Sequence, residues 1–158
     1  MVVVAVVFFA VQMFVTRDVA RGPLPPLEGI LTDGTALNVE QWRRAHGGDA
    51  FVLYVWATWC PICKTVEGSI DAVARDALVL TVAMQSGSGA EVGRFLAARG
   101  YRWPTLVDGD ARLSRQLGVD AVPTLIFVDR AGEVRAVTQG YTSEIGIRLR
   151  LWWAGRGG

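Results

Sequence analysis

The sequence predicts an α/β domain, a central mixed sheet flanked by helices, with an N-terminal hairpin extension and a transmembrane anchor before it. Three observations carry this. Residues 51–57, Phe-Val-Leu-Tyr-Val-Trp-Ala, form an unbroken apolar run, as strands buried on both faces do. That run feeds Ile62, Val66, Ile70 and Val73, which recur at helical spacing. Two more strands, Leu125 to Val128 and Val134 to Val137, flank a connector containing Gly132 and lead into a last helical pattern. The order β-α-β, further helical material, then β-β-α combines a parallel crossover with an antiparallel hairpin.

The chain has 158 residues, the size of one ordinary domain. Its 16 basic and 15 acidic residues leave a formal net charge of +1. With no basic run there is no electrostatic footprint for nucleic acid. Met1 to Val15 carry no charge, and Gln12 is their only strongly polar side chain. A spanning helix needs about 20 apolar residues, so the stretch is short. It also lacks the basic start and the small-residue cleavage site of a signal peptide. The expectation is a membrane anchor over residues 1–16, truncated at its start, with Arg17, Asp18 and Arg21 just outside the bilayer. Residues 17–26, with Gly22-Pro23-Leu24-Pro25-Pro26, read as a semi-rigid spacer. The folded domain is expected over 27–153, and a disordered tail over 154–158.

Within the domain, Asp33-Gly34 marks a tight hairpin. A helix is expected from Val39 to Ala45, closed by Gly47-Gly48. The helix opening at Pro61 is followed by a strand from Val79 to Met84. Ser88 and Glu91 have the spacing of a capping box for a helix that Gly100 ends. Thr105 to Val107 reads as a brief strand. Asp110 is expected to cap a helix carrying Leu113 and Leu117. Ile145, Leu149 and Trp152 mark the closing helix, with Trp152-Trp153 expected to pack on the sheet.

The chemistry concentrates in Trp59-Cys60-Pro61-Ile62-Cys63. The chain has only these two cysteines and one histidine, His46, which excludes a disulfide framework and a four-ligand Cys/His zinc site. Cys60 falls where a buried strand ends and a helix begins. Only a thiolate attacks a disulfide, and a free cysteine has a pKa of roughly 8.5. Unpaired N–H groups and the partial positive charge of a helix start favour the thiolate. Cys63 lies one turn on, placed to attack a mixed disulfide and release the product. Pro61 suits the first helical position, where a missing N–H costs nothing. Trp59 and Ile62 flank the pair as candidate partner contacts. Val122-Pro123 precedes a strand that proline cannot join as a donor. A cis bond there explains it, and would leave the Val122 backbone free to pair with an incoming peptide.

These segments resemble the thioredoxin superfamily. The run Trp56-Ala57-Thr58-Trp59-Cys60-x-x-Cys63 and the later Gly118-Val119-x-x-Val122-Pro123-Thr124 are similar to its two hallmark segments. Glu67-Gly68-Ser69-Ile70, Val82 to Gly87 and Gly140-Tyr141-Thr142 resemble its membrane-anchored TlpA-like branch, above all the ScsD-like protein disulfide oxidoreductases. The resemblance implies a thioredoxin fold on the outer, periplasmic face of a bacterial inner membrane. It also implies exchange with protein thiols and disulfides and with a membrane electron donor or acceptor. No cofactor beyond the Cys60–Cys63 pair is expected. Thioredoxins place a buried Asp where this chain has Tyr54, and some relatives place a Glu where it has Val66. The neighbouring Glu67 is expected on a solvated helix face. The direction of electron transfer stays open, and a thiol-based copper module of the same fold is the alternative.

Overall fold

The computed structural model describes residues 18–157; the anchor expected over residues 1–16 lies outside them. Among the described residues no helix is long and apolar enough to cross a membrane. A six-stranded mixed sheet is built from β1 (Gly22–Pro23), β4 (Phe51–Trp56), β5 (Leu78–Met84), β6 (Thr105–Asp108), β7 (Thr124–Val128) and β8 (Glu133–Gln139), in the order β1-β8-β7-β4-β5-β6. Strand β4 pairs parallel with β5 and antiparallel with β7. The extension is a separate hairpin of β2 (Glu28–Ile30) and β3 (Ala36–Asn38). The Asp33 carboxylate fixes its turn by accepting the Thr35 N–H at 2.9 Å. The helices are α1 (Val39–Ala45), α2 (Pro61–Val73), α3 (Gly89–Arg99), α4 (Arg112–Gln116) and α5 (Glu144–Arg156).

Side chains alternate across a strand, so the apolar run of β4 serves two cores. Val52, Tyr54 and Trp56 face Val66, Ile70 and Val73 of α2 and Ile147 of α5. Phe51, Leu53 and Val55 face Val39 of α1, Leu113 and the segment around Leu117 and Val119. Each such side chain, fully buried, contributes about 1.5–3 kcal/mol. This double burial holds the C-terminal end of β4 still, and the cysteines follow directly from it.

Four expectations need correction. Residues 17–26 are not a free spacer where they are described. Val19 is buried, Ala20 N–H donates to Leu117 O at 2.9 Å, and Gly22–Pro23 add a strand to β8. Apolar side chains within a polar stretch anchor it. At the other end, α5 continues to Arg156 with Ala154 buried, so residues 154–156 belong to the fold and not to a tail. Asp110 is a minor contributor to the start of α4, accepting from Arg112 N–H. The carboxylate that accepts from Leu113 N–H, Ser114 N–H and the Ser114 hydroxyl is Asp108, at the end of β6.

The fourth correction concerns α5. Ile145, Leu149, Trp152 and Trp153 are 55–71 % exposed, and the inner face is Ile147, Leu151 and Ala154. Both stripes have spacings of four and three. They are offset by two residues, about 200° around a 3.6-residue helix. Periodicity alone therefore allows either face inward. Size decides: small Ala154 and Gly155 admit the helix close to Ala50, where indole rings would not fit.

Candidate active site

Cys60 is the N-cap of α2, with extended backbone, and Cys63 N–H donates to its Sγ at 3.2 Å. Pro61 occupies the first turn, where it displaces no hydrogen bond. Cys60 and Cys63 are joined as a disulfide, with Cα atoms 5.3 Å apart. Cys63 is fully buried, and Cys60 is nearly so. The preceding turn is tied to the end of β5: Thr58 N–H donates to Ser86 Oγ at 3.0 Å, and the Trp59 indole donates to Gln85 O at 3.0 Å. Trp59 and Ile62 remain 57 % and 52 % exposed on either side of the pair. Trp56 is core, its indole donating to Thr81 Oγ1.

The second wall comes from the loop before β7. The Val122–Pro123 peptide bond is cis. The carbonyl of Val122 lies 3.6 Å from Cys60 Sγ. Val122 sits outside the β4–β7 ladder, which ends with Val55 opposite Thr124. The loop is held by Thr124 Oγ1 donating to Ala121 O and by Gly140 N–H donating to Pro123 O. Thus Trp59, Cys60, Pro61, Ile62, Cys63, Val122 and Pro123 meet at one end of the sheet.

Glu67 departs from its expectation. It is 3 % exposed, on the inner face of α2 one turn after Cys63. The spacing of Cys63, Val66 and Ile70 places position 67 on that face. Oε2 pairs with Arg99 Nε at 3.3 Å, and the Arg99 guanidinium stacks over Phe95 at 3.6 Å. Oε1 is buried, and the Tyr101 hydroxyl lies near the carboxyl group. Burial pushes the Glu67 carboxyl up, against the opposing pull of Arg99 and Lys64. Tyr54 stands where related folds carry an acid. Its hydroxyl donates to Cys63 O at 3.4 Å, and burial, reinforced by Glu67, drives its ionisation far above the usual phenol range. Among the described residues, no three His, Cys, Asp or Glu side chains gather as a metal site.

A disulfide spanning the first turn of a helix, fed by a central strand and faced by a cis-proline loop, defines a thioredoxin-like fold with a C-x-x-C pair. The chain belongs to the Redoxin family, whose model matches residues 18–146. It is 31 % identical over 104 residues to a thioredoxin-like protein of Haemophilus influenzae, across 65 % of this chain and 62 % of that protein. It is 28 % identical over 89 residues to the thiol:disulfide interchange protein DsbE of Yersinia pestis, across 56 % of this chain and 47 % of that one. The chain thus spans about half to three-fifths of the length of these relatives. Its fold is similar to that of a secreted Mycobacterium tuberculosis disulfide oxidoreductase homologous to DsbE. That match has TM-score 0.68 and 18 % identity, over 81 % of this chain and 96 % of the other.

Proposed function

We propose that this protein is a thiol–disulfide oxidoreductase that exchanges electrons with partner protein thiols through Cys60 and Cys63. The observation that carries the reading is the disulfide at the start of α2 facing the Val122 carbonyl. In the reduced protein, the Cys60 thiolate attacks one sulfur of a partner disulfide. A Cys60–partner bond forms, and the other partner sulfur leaves and takes up a proton. Cys63 then loses its proton and attacks Cys60 Sγ. The Cys60–Cys63 bond forms, the Cys60–partner bond breaks, and the second partner sulfur leaves as a thiol. Two electrons and two protons pass to the partner; the oxidative direction is the same path reversed. The partner backbone pairs at Val122 as an added strand, and Trp59, Pro61 and Ile62 contact it. Glu67, one turn from Cys63, is the group that takes the Cys63 proton.

Residues 1–16 hold the domain on the extracytoplasmic face of a bacterial inner membrane, next to a membrane electron donor or acceptor. The uncharged apolar run supports this, as does the interchange role named for the DsbE relative.

Cys60→Ser is expected to abolish disulfide exchange, and Cys63→Ser to accumulate mixed disulfides visible on non-reducing gels. Exchange retained in Cys60→Ser overturns the assignment. Membrane fractionation with protease protection of spheroplasts tests the tether separately.

A further inference from the structure

Ile30 aside, the large hydrophobic side chains exposed among the described residues flank the disulfide (Trp59, Ile62), follow β8 (Tyr141) or line α5, where Trp152 lies near Asp49 and Ala50 at the far end of the sheet. Trp59 and Ile62 flank Cys60. Tyr141, 66 % exposed, follows Gly140, whose N–H is bonded to the cis-Pro123 carbonyl. From Tyr141 the band continues through Ile145, Leu149 and Trp152, at spacings of four, four and three, along the outer face of α5. At 1.5 Å per residue, Ile145 to Trp152 covers about 10 Å, the reach of about three residues of extended chain. Contiguous exposed apolar surface of this kind marks an interaction site.

The band is bordered by positive charge. Arg148 is engaged by Asp76 and Glu144. Arg150 donates only to the Gly146 carbonyl, and Arg156 stacks over the Trp152 ring at 4.3 Å. Neither meets a carboxylate among the described residues.

We propose that this band seats an extended segment of the partner polypeptide, apolar with acidic residues interspersed, on one side of its reacting cysteine. The proposal rests on exchange at Cys60 and names the class of substrate: a chain unfolded around its cysteine. The start of the band at Tyr141, next to the Gly140 N–H that holds the cis-Pro123 carbonyl, selects this occupant over a second copy or a lipid surface, neither of which requires the band to begin beside the site. The unpaired arginines select acidic over basic flanks.

The test uses the full chain in detergent and two disulfide-linked peptides. They share the residues next to the cysteine. One carries an arm of Leu, Trp and Glu, the other an arm of Ser and Gly. Reduction of the apolar-armed peptide is expected to be at least tenfold faster in kcat/KM. In Leu149→Ser and Trp152→Ser, both surface changes, that ratio should fall at least fivefold. Ile30→Ser, an exposed position outside the band, should keep it. Equal rates for the two peptides in the wild type overturn the proposal, as does a ratio unmoved by either α5 variant. A concentration-dependent dimer lost in Leu149→Ser overturns it in favour of a second copy. Vesicle binding lost in Trp152→Ser, with the ratio unmoved, does so in favour of lipid. Exchange with dithiothreitol is measured alongside; its absence in the wild type would instead sink the oxidoreductase reading.

Discussion

Replacing Glu67 by Gln keeps the shape of the side chain and removes its ability to take a proton. Glu67 and Cys63 are an i, i+4 pair on the buried face of α2, so their Cβ atoms are about 5–6 Å apart. Burial raises the carboxyl towards the range where a base works well near neutral pH. Without it, Cys63 must ionise by itself, with a thiol pKa of roughly 8.5. Two pH units below that, only about one thiol in a hundred is ionised. Attack by Cys63 should then be about 100-fold slower, or about 2.7 kcal/mol in barrier. The assay is stopped-flow mixing of the reduced protein with an aryl disulfide whose released thiolate absorbs visibly. The fast release reports Cys60 and the slow release reports Cys63. In Glu67→Gln the fast phase is expected to be unchanged. The slow phase should fall tenfold per pH unit below roughly pH 8.5, while the wild type stays nearly flat around neutrality. Superimposable slow-phase profiles would refute the reasoning. Removing the neighbouring cation with Arg99→Met should raise the Glu67 carboxyl further, moving the acid edge of the wild-type plateau to higher pH.

The same residue links stability to pH. A carboxyl raised above its unfolded value binds a proton more readily in the folded state, so stability declines as pH rises through the folded pKa. Urea midpoints should therefore favour Glu67→Gln over the wild type more at pH 7.5 than at pH 4.5; the opposite trend would contradict the burial argument. Gly118 has φ +69°, in the left-handed region, and an added Cβ would overlap the Asp18 carbonyl. Gly118→Ala should cost about 1–3 kcal/mol and release residues 18–21, read as faster trypsin cleavage at Arg21.

Much of this was legible because local signals agreed. The apolar run of β4, the Ser88–Glu91 capping box and the proline after Cys60 each name their own structure, and all three occur as expected. Where the chain offered two solutions, only packing chose. Helix α5 carries two equivalent apolar stripes, and the small side chains turned inward. Glu67 lies on the buried stripe of α2, but a carboxylate there contradicts the rule that charge faces water. Arg99, which makes that burial tolerable, is 32 positions away at the end of α3 and cannot be matched to it from spacing. The docking of Val19 against Leu117 is long-range in the same way.

Tyr54 sharpens the division of labour behind the disulfide. It occupies the strand position at which related folds keep an acid, yet burial and the charge of Glu67 both disfavour its ionised form. A neutral phenol cannot accept the Cys63 proton. Its contact with the Cys63 carbonyl is long, at 3.4 Å, and a net neutral hydrogen bond is worth about 0.5–1.5 kcal/mol. Tyr54→Phe should therefore lower stability by no more than about 1 kcal/mol and leave the pH profile of the slow phase in place. A slow phase that follows Tyr54 instead of Glu67 would move the proton from the helix back to the strand. If it follows Glu67, acid and sulfur ride on the same helix, and the ion pair with Arg99 makes α3 part of the redox site.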